Sequence, residues 1–276
     1  MLIDYHLHNH FSPDSKTDTR KMVEYLQKQN IKNICITNHG EWFVENGDEQ
    51  IETFNYNEAY KRLLSVQKEI EEIELEFPDM AIGFGLELQY DKRALENSGK
   101  LVRSLPFDFI LGSVHFVDDV LIANDKYCRN VYKNTTEQKM YSRYFEDLLE
   151  WVKIGIFDAV GHFDIIKKVG YEYYGPFKPE KYKPIIIKIL EEMKKRGIGI
   201  EVNTKCMYER CNEPFPHPDI LKWCVEIGIQ NYTLGSDAHK LEDSGANIPE
   251  ALELLRDVGV KNISTYKKRK AKLINI

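Results

Sequence analysis

Seven short apolar runs, each ending in or just before a histidine, a carboxylate or an asparagine, recur along this 276-residue chain. They are residues 2–7 (LIDYHL), 33–38, 81–86 (AIGFGL), 108–114 (DFILGSV), 157–161, 198–202 and 231–235. Runs this short, rich in Ile, Val, Leu and Phe, have the look of strands buried on both faces of a parallel sheet. Between them lie stretches of helical period. Residues 58–76 align Leu63, Leu64, Ile70 and Ile73 on one stripe, and 136–153, 179–196, 219–227 and 248–258 behave similarly. Asp18, Thr19, Asn247 and Pro249 supply helix-start chemistry. Repeated βα units without a Pro/Gly-rich linker predict an α/β fold, a single barrel-like domain over residues 1–276.

In such a barrel the carboxyl ends of the strands converge on one face. The first strand delivers His6 and His8, with Asp14 in the next loop; the second delivers His39, the third Glu87, the fourth His115 and the fifth His162. The sixth brings Glu201 and Asn203, and the seventh Asp237 and His239. His6 and His8 share a strand face about 7 Å apart along the backbone, as two rings holding one ion would. Six of the eight histidines fall at predicted strand ends, a joint pattern that reads as a multinuclear metal site. Imidazole and carboxylate without thiolate suit zinc, manganese or iron. Paired cations about 3.5–4 Å apart acidify a bridging water and clamp both oxygens of an in-line displacement, the equipment of phosphoester hydrolysis.

Composition narrows the partners. A net charge of −6 and a pI near 5.8 argue against a nucleic-acid binder and leave a small phosphorylated substrate open. No apolar run reaches the length of a membrane span and the charged, His-rich start is no signal peptide, so a cytoplasmic protein is expected. Five scattered cysteines imply neither a disulfide framework nor a zinc ribbon; Cys206 and Cys211 are read as incidental. The sequence sets no oligomeric state.

Three stretches break the rhythm. Residues 41–57 form a long polar-aromatic insertion after the second strand, a candidate lid carrying Trp42, Phe43, Phe54 and Tyr56. Residues 170–178 (GYEYYGPFK) read as a second irregular stretch, and 212–218 as a proline-rich turn in which His217 is structural. The basic run 266–272 reads as a solvated tail. His10 is a candidate for lining the pocket, though a structural or solvent role suits it as well. Asp4, Asp164 and Glu201 are candidates for carboxylates that hold ligand imidazoles.

The ordered motifs resemble those of the polymerase-and-histidinol-phosphatase (PHP) superfamily, and within it the histidinol-phosphate phosphatases of the HisJ/HisK type. The resemblance rests on His6-Leu7-His8 with Ser12 and Asp14, Thr37-Asn38-His39, Gly85-Leu86-Glu87, Gly112-Ser113-Val114-His115, Gly161-His162-Phe163-Asp164, Glu201-Val202-Asn203-Thr204 and Gly235-Ser236-Asp237-Ala238-His239. It implies a distorted (β/α)7 TIM-like barrel holding three divalent metal ions. By position His6, His8, Glu87 and Asp237 would hold the first, Glu87, His115 and His162 the second, and Asp14, His39 and His239 the third. Some relatives place His where Asp14 stands, and motif two often reads Thr-Asp-His where this chain has Asn38.

The activity implied is hydrolysis of L-histidinol phosphate, late in histidine biosynthesis, by in-line attack of a metal-bridging hydroxide. The leaving oxygen would be protonated by Asp237, His239 or water, or stabilised by a metal. The family's phosphate-binding arginine is expected soon after Asn203; here Lys205 comes first and Arg210 slightly late, so either fills the role. Asn203, Trp42, Phe43 and His10 complete the expected substrate contacts. Alternatives within the superfamily are phosphoesterases for nucleotides or sugar phosphates. A metal-binding module of a polymerase assembly, or a metal-dependent amidohydrolase with a carboxylated lysine in place of Glu87, fits the sequence less well.

Overall fold

The computed structural model describes residues 1–46, 49–208 and 211–276, with the side chains of 42–46, 49–53, 125 and 208 outside that description. Seven strands form one parallel sheet in sequence order: β1 (Leu2–Leu7), β2 (Ile31–Ile36), β3 (Ala81–Gln89), β4 (Phe109–Ser113), β5 (Ala159–Val160), β6 (Gly199–Asn203) and β7 (Tyr232–Gly235). β7 returns to β1: the Asp237 amide donates to the His6 carbonyl at 2.8 Å and the His8 amide to the Ala238 carbonyl at 3.0 Å. The result is a nearly closed barrel of parallel strands ringed by helices, as expected. Register keeps the strand ends level, with Leu7 opposite Ile36, Gln89 opposite Ser113 and Asn203 opposite Gly235. All seven candidate-bearing ends therefore open on one mouth.

The helices follow the apolar stripes. Tyr56–Glu76 starts where Asn55 accepts from the amides of Asn57 and Glu58, and buries Leu63, Val66, Ile70 and Ile73. Thr19–Lys28 is capped by Asp18, which accepts from the Lys21 amide. Glu137–Ile154 ends at Gly155 in the left-handed region, the usual glycine stop. His217 caps Pro218–Ile227, its Nδ1 accepting from the Asp219 amide.

Several expectations change. The strand expected over 157–161 shortens to Ala159–Val160. The insertion at 41–57 is in part a hairpin, Trp42–Asn46 with Glu49–Thr53; Phe54 and Tyr56 pack against the core and do not line the pocket. The stretch 170–178 is helical over Lys167–Tyr174, because Tyr173 stacks on Tyr132 and the Tyr174 hydroxyl donates to the carbonyls of Tyr132 and Thr135. Cys206 and Cys211 are not incidental: they are joined as a disulfide with Cα atoms 5.8 Å apart, within the span such a bond bridges.

The basic C-terminal run is no solvated tail. It forms a hairpin, Asn262–Lys267 with Lys270–Asn275, that covers the end of the barrel opposite the mouth. The Tyr266 amide donates to the Tyr5 hydroxyl, the amides of Lys268 and Arg269 donate to Asp108, and the Arg269 guanidinium grips Asp158 at 2.9–3.1 Å. Burial pushes Asp158 up, and Arg269 opposes it. Losing a partner of a buried carboxylate costs about 2 kcal/mol. Arg269→Ala should lower the thermal midpoint by about 4–8 °C, read by differential scanning calorimetry; an unchanged midpoint would show that the hairpin does not brace the barrel.

Candidate metal centre

Glu87, at the end of β3 and almost wholly buried, is the hub of the mouth. Its Oε2 faces His6 Nε2 at 3.2 Å, His39 Nδ1 at 3.1 Å and His8 Nε2 at 3.5 Å. Its Oε1 faces His162 Nε2 at 2.8 Å and His115 Nε2 at 3.1 Å, and accepts from Ser113 Oγ at 2.7 Å. The chain after β2 is pinned beside it: the Gly40 amide donates to the Glu87 carbonyl and the Glu87 amide to that of Asn38.

Around that hub the other ends contribute their side chains. Asp237 Oδ1 lies 3.8 Å from His6 Nε2 and 3.7 Å from His8 Nε2. Asp14 Oδ2 lies 2.9 Å from His239 Nε2 and 3.3 Å from His39 Nε2, and Ser12 Oγ donates to Asp14 Oδ1 while lying 3.3 Å from His8 Nδ1. His162 and Asp237 both sit at positive φ, 24° and 53°. Such backbone costs about 1–3 kcal/mol and collects at functional sites. Each follows a segment crowded by its neighbours: a Cβ at Gly235 would collide with Glu201 Oε1 and His6, and one at Gly161 would meet Ser113 Oγ at 2.8 Å.

A second layer aims the rings. Glu201 Oε1 lies 2.6 Å from His6 Nδ1, and its Oε2 accepts from the His162 amide at 2.7 Å. The proton of His6 is thereby set on Nδ1, which leaves Nε2 to the cluster. Glu201 thus holds the His6 imidazole, as expected of a carboxylate behind the cluster. Asp4 does not; it accepts from the Ser236 amide and hydroxyl and from the Gly245 amide, fastening β7 to β1. Asp164 instead pairs with Lys167 and accepts from the His217 amide.

The expected substrate contacts divide. Lys205 lines the mouth, its Nζ 2.9 Å from the Asp237 carbonyl, 3.0 Å from Asp237 Oδ1 and 3.0 Å from His239 Nδ1. Asn203 is fully buried behind the cluster, where its Nδ2 donates to Glu201 Oε2 and Asp237 Oδ2; it braces those carboxylates and does not line the pocket. His10 is exposed, faces Glu69 at 3.8 Å and does not line the pocket. Arg210 and the side chains of Trp42 and Phe43 lie outside the described residues. The pocket, about 250 Å³, has further walls beyond the expected contacts: Leu121, Ala123, Asn124, Ile165 and Lys168. Leu121, Ala123 and Asn124 come from a small hairpin after β4 and the loop behind it, which carry no readable motif; Ile165 closes the motif that begins at His162, and Lys168 stands in the helix that follows.

The donor set suits divalent cations. Four groups bring ligand atoms within 4.8 Å of one another: His8, Asp14, His39 and His239; His6, His8 and Glu87; His6, His162 and Asp237; and His39, Glu87 and His115. His6 Nε2 and His8 Nε2 are buried with no hydrogen-bond partner, an arrangement costly for polar atoms unless something else meets them. Electrostatics agree. Burial would raise Glu87, but His6, His39 and His115 hold it well below the usual range. Burial would raise Asp237 and Asp14 too, yet Lys205 and His6 depress the first, and His39 and His239 the second. Burial pushes His6 and His39 down; Glu201, Glu87 and Asp237 pull His6 well above the ordinary value, and Asp14 and Glu87 do the same for His39. His8, buried and beside His239 and His39, is held well below it.

A mouth of histidines and carboxylates set at the ends of parallel barrel strands defines a metallohydrolase-type centre. The PHP domain family model matches residues 4–205, and the chain belongs to that family. It is 27% identical over 271 residues to a histidinol-phosphatase of Lactococcus lactis, spanning 96% of this chain and 94% of that protein. It is 27% identical over 274 residues to a "Probable histidinol-phosphatase" of Clostridium acetobutylicum, spanning 95% and 96%. The crystal structure of a Lactococcus lactis histidinol phosphate phosphatase complexed with zinc, L-histidinol and phosphate superposes with a TM-score of 0.84 at 26% identity, covering 98% of each chain.

The raised imidazoles set a pH dependence. What His6 and His39 add to the stability of the metal-free fold is complete below their ordinary value of 6.5 and is lost as pH rises through the folded values. Protons and metal ions compete for these rings, so metal affinity should fall steadily on acidification. Zinc titration calorimetry near pH 7 in buffers of different ionisation heat should report net proton release; heats independent of the buffer would contradict it.

Proposed function

We propose that this chain is a metal-dependent phosphomonoesterase that hydrolyses L-histidinol phosphate to L-histidinol and phosphate. The observation that carries the reading is the convergence of eight potential ligands around Glu87 at a pocket of about 250 Å³, on a fold that superposes end to end on the Lactococcus lactis phosphatase. Residues 1–276 form one barrel domain that carries the centre.

Three divalent ions, zinc, manganese or iron, occupy the centre. His6, His8, Glu87 and Asp237 hold the first, Glu87, His115 and His162 the second, and Asp14, His39 and His239 the third. When bound, such ions polarise phosphoryl oxygens and acidify water enough to make it nucleophilic at neutral pH. Glu87 fixes the spacing, because each of its oxygens serves a different set of rings. The Lys205 ammonium, at the mouth beside Asp237, meets the phosphate and offsets charge that builds as the P–O bond breaks. Asp237, an ionised carboxylate beside His239, would accept the proton of the attacking water and pass it to the leaving alkoxide. Leu121, Ala123 and Ile165 give the imidazole of the substrate an apolar wall, and Lys168 and Asn124 set the rim.

Phosphate release from histidinol phosphate, compared with nucleotides, sugar phosphates and an aryl phosphate, tests the assignment on zinc- or manganese-loaded protein. A preference for histidinol phosphate is expected, with His115→Ala reducing turnover by more than about 100-fold, since loss even of an outer partner of a ligand costs about 10–100-fold. Equal, weak turnover of every ester would move the substrate elsewhere among phosphomonoesters. No turnover with any metal would overturn the enzyme reading.

A further inference from the structure

Two residues past His39 the chain turns a carboxylate inward. Glu41 is fully buried, and neither of its oxygens has a hydrogen-bond partner. Its Oε1 lies 3.5 Å from His39 Nδ1 and 3.9 Å from His115 Nδ1. His115 Nδ1 is itself buried with no hydrogen-bond partner, and His39 is buried beside it. Arg62 is near enough for its charge to feel Glu41, but it donates to the backbone carbonyls of His39, Gly40 and Glu41 and leaves the carboxylate unbonded.

A buried carboxylate left unmatched is costly, and here its described neighbours are the back edges of two ligand rings. Glu41 belongs to none of the groups whose atoms converge on a possible ion. It faces Nδ1 of His115, whereas Nε2 of that ring points to Glu87 and His162. It approaches His39 from the Nδ1 side, opposite the Nε2 that meets Asp14. Glu87 also stands 3.1 Å from His39 Nδ1, but its oxygens are shared among five rings, whereas both Glu41 oxygens are without a hydrogen-bond partner.

We propose that Glu41 is a positioning residue for the metal centre: it takes the Nδ1 protons of both His39 and His115, and so presents Nε2 of each ring as a ligand. The inference rests on the ligand reading above. One carboxylate thereby steers a ligand of the second ion and a ligand of the third, and ties the filling of one position to the other. Contacts of this kind are often long before a site is filled and tighten afterwards.

The test uses full-length protein stripped by chelation and titrated with zinc against a fluorescent chelator. Glu41→Gln keeps the shape and removes the charge. Its zinc affinity should fall about 10–100-fold, while its metal-free melting temperature stays equal to or above that of the parent. Long-range nitrogen–proton spectra of the zinc-loaded parent should show His39 and His115 protonated at Nδ1, a pattern perturbed in the variant. Glu41→Asp, which keeps the charge but shortens the reach, should fall between the two, and it decides the matter if Glu41→Gln does not fold. Parental zinc affinity in Glu41→Gln would overturn the proposal. So would equal loss of stability with and without zinc, the signature of a merely structural residue. If the parent binds no zinc, or His115→Ala binds it equally well, the ligand reading fails instead.

Discussion

Glu87 is the contact on which the rest of this structure depends. A carboxylate in a barrel interior is stable only where charge and hydrogen bonds meet it, and here five imidazoles and a serine hydroxyl do so. Those partners arrive from β1, β4 and the ends of β2 and β5, so no one segment can form the centre alone. The closed parallel sheet is what brings the ends level. Closure in turn leans on Asp4, which stitches β7 to β1 below the histidines, and on Glu201, which ties His6 to the His162 backbone.

The price of that convergence is local strain and crowding. His162 and Asp237 are held in backbone conformations that most side chains avoid, and the glycines before them let Glu201 and Ser113 come close. The opposite end of the barrel is settled differently. There Asp108 and Asp158 face a basic hairpin instead of imidazoles, which leaves the mouth free for chemistry. Electrostatic demand at the two ends is met by unlike devices, one able to exchange protons for cations and the other fixed.

Much of this was legible in the sequence because strand burial and ligand placement share one period. An apolar run that ends in His6 and His8, or in Glu87, announces both a buried strand and its functional tip. All nine expected ligands therefore meet at one mouth. What escaped sequence reading depends on partners distant in the chain. Tyr173 and Tyr174 look like loop residues until Tyr132 is beside them. The 266–272 run looks solvated until Asp108 and Asp158 are placed. Asn203 carries a strand-end motif, yet its amide is consumed by Glu201 and Asp237. Glu41 sits in a polar insertion where a buried carboxylate has no local signal.

Anomalous diffraction at the zinc edge from crystals of zinc-loaded protein would show directly whether the strand ends build one trinuclear centre around Glu87. Three peaks are expected at the barrel mouth, two of them bridged by Glu87 and the third among Asp14, His39 and His239. A single peak, or peaks that leave Glu87 uncoordinated, would contradict such a centre.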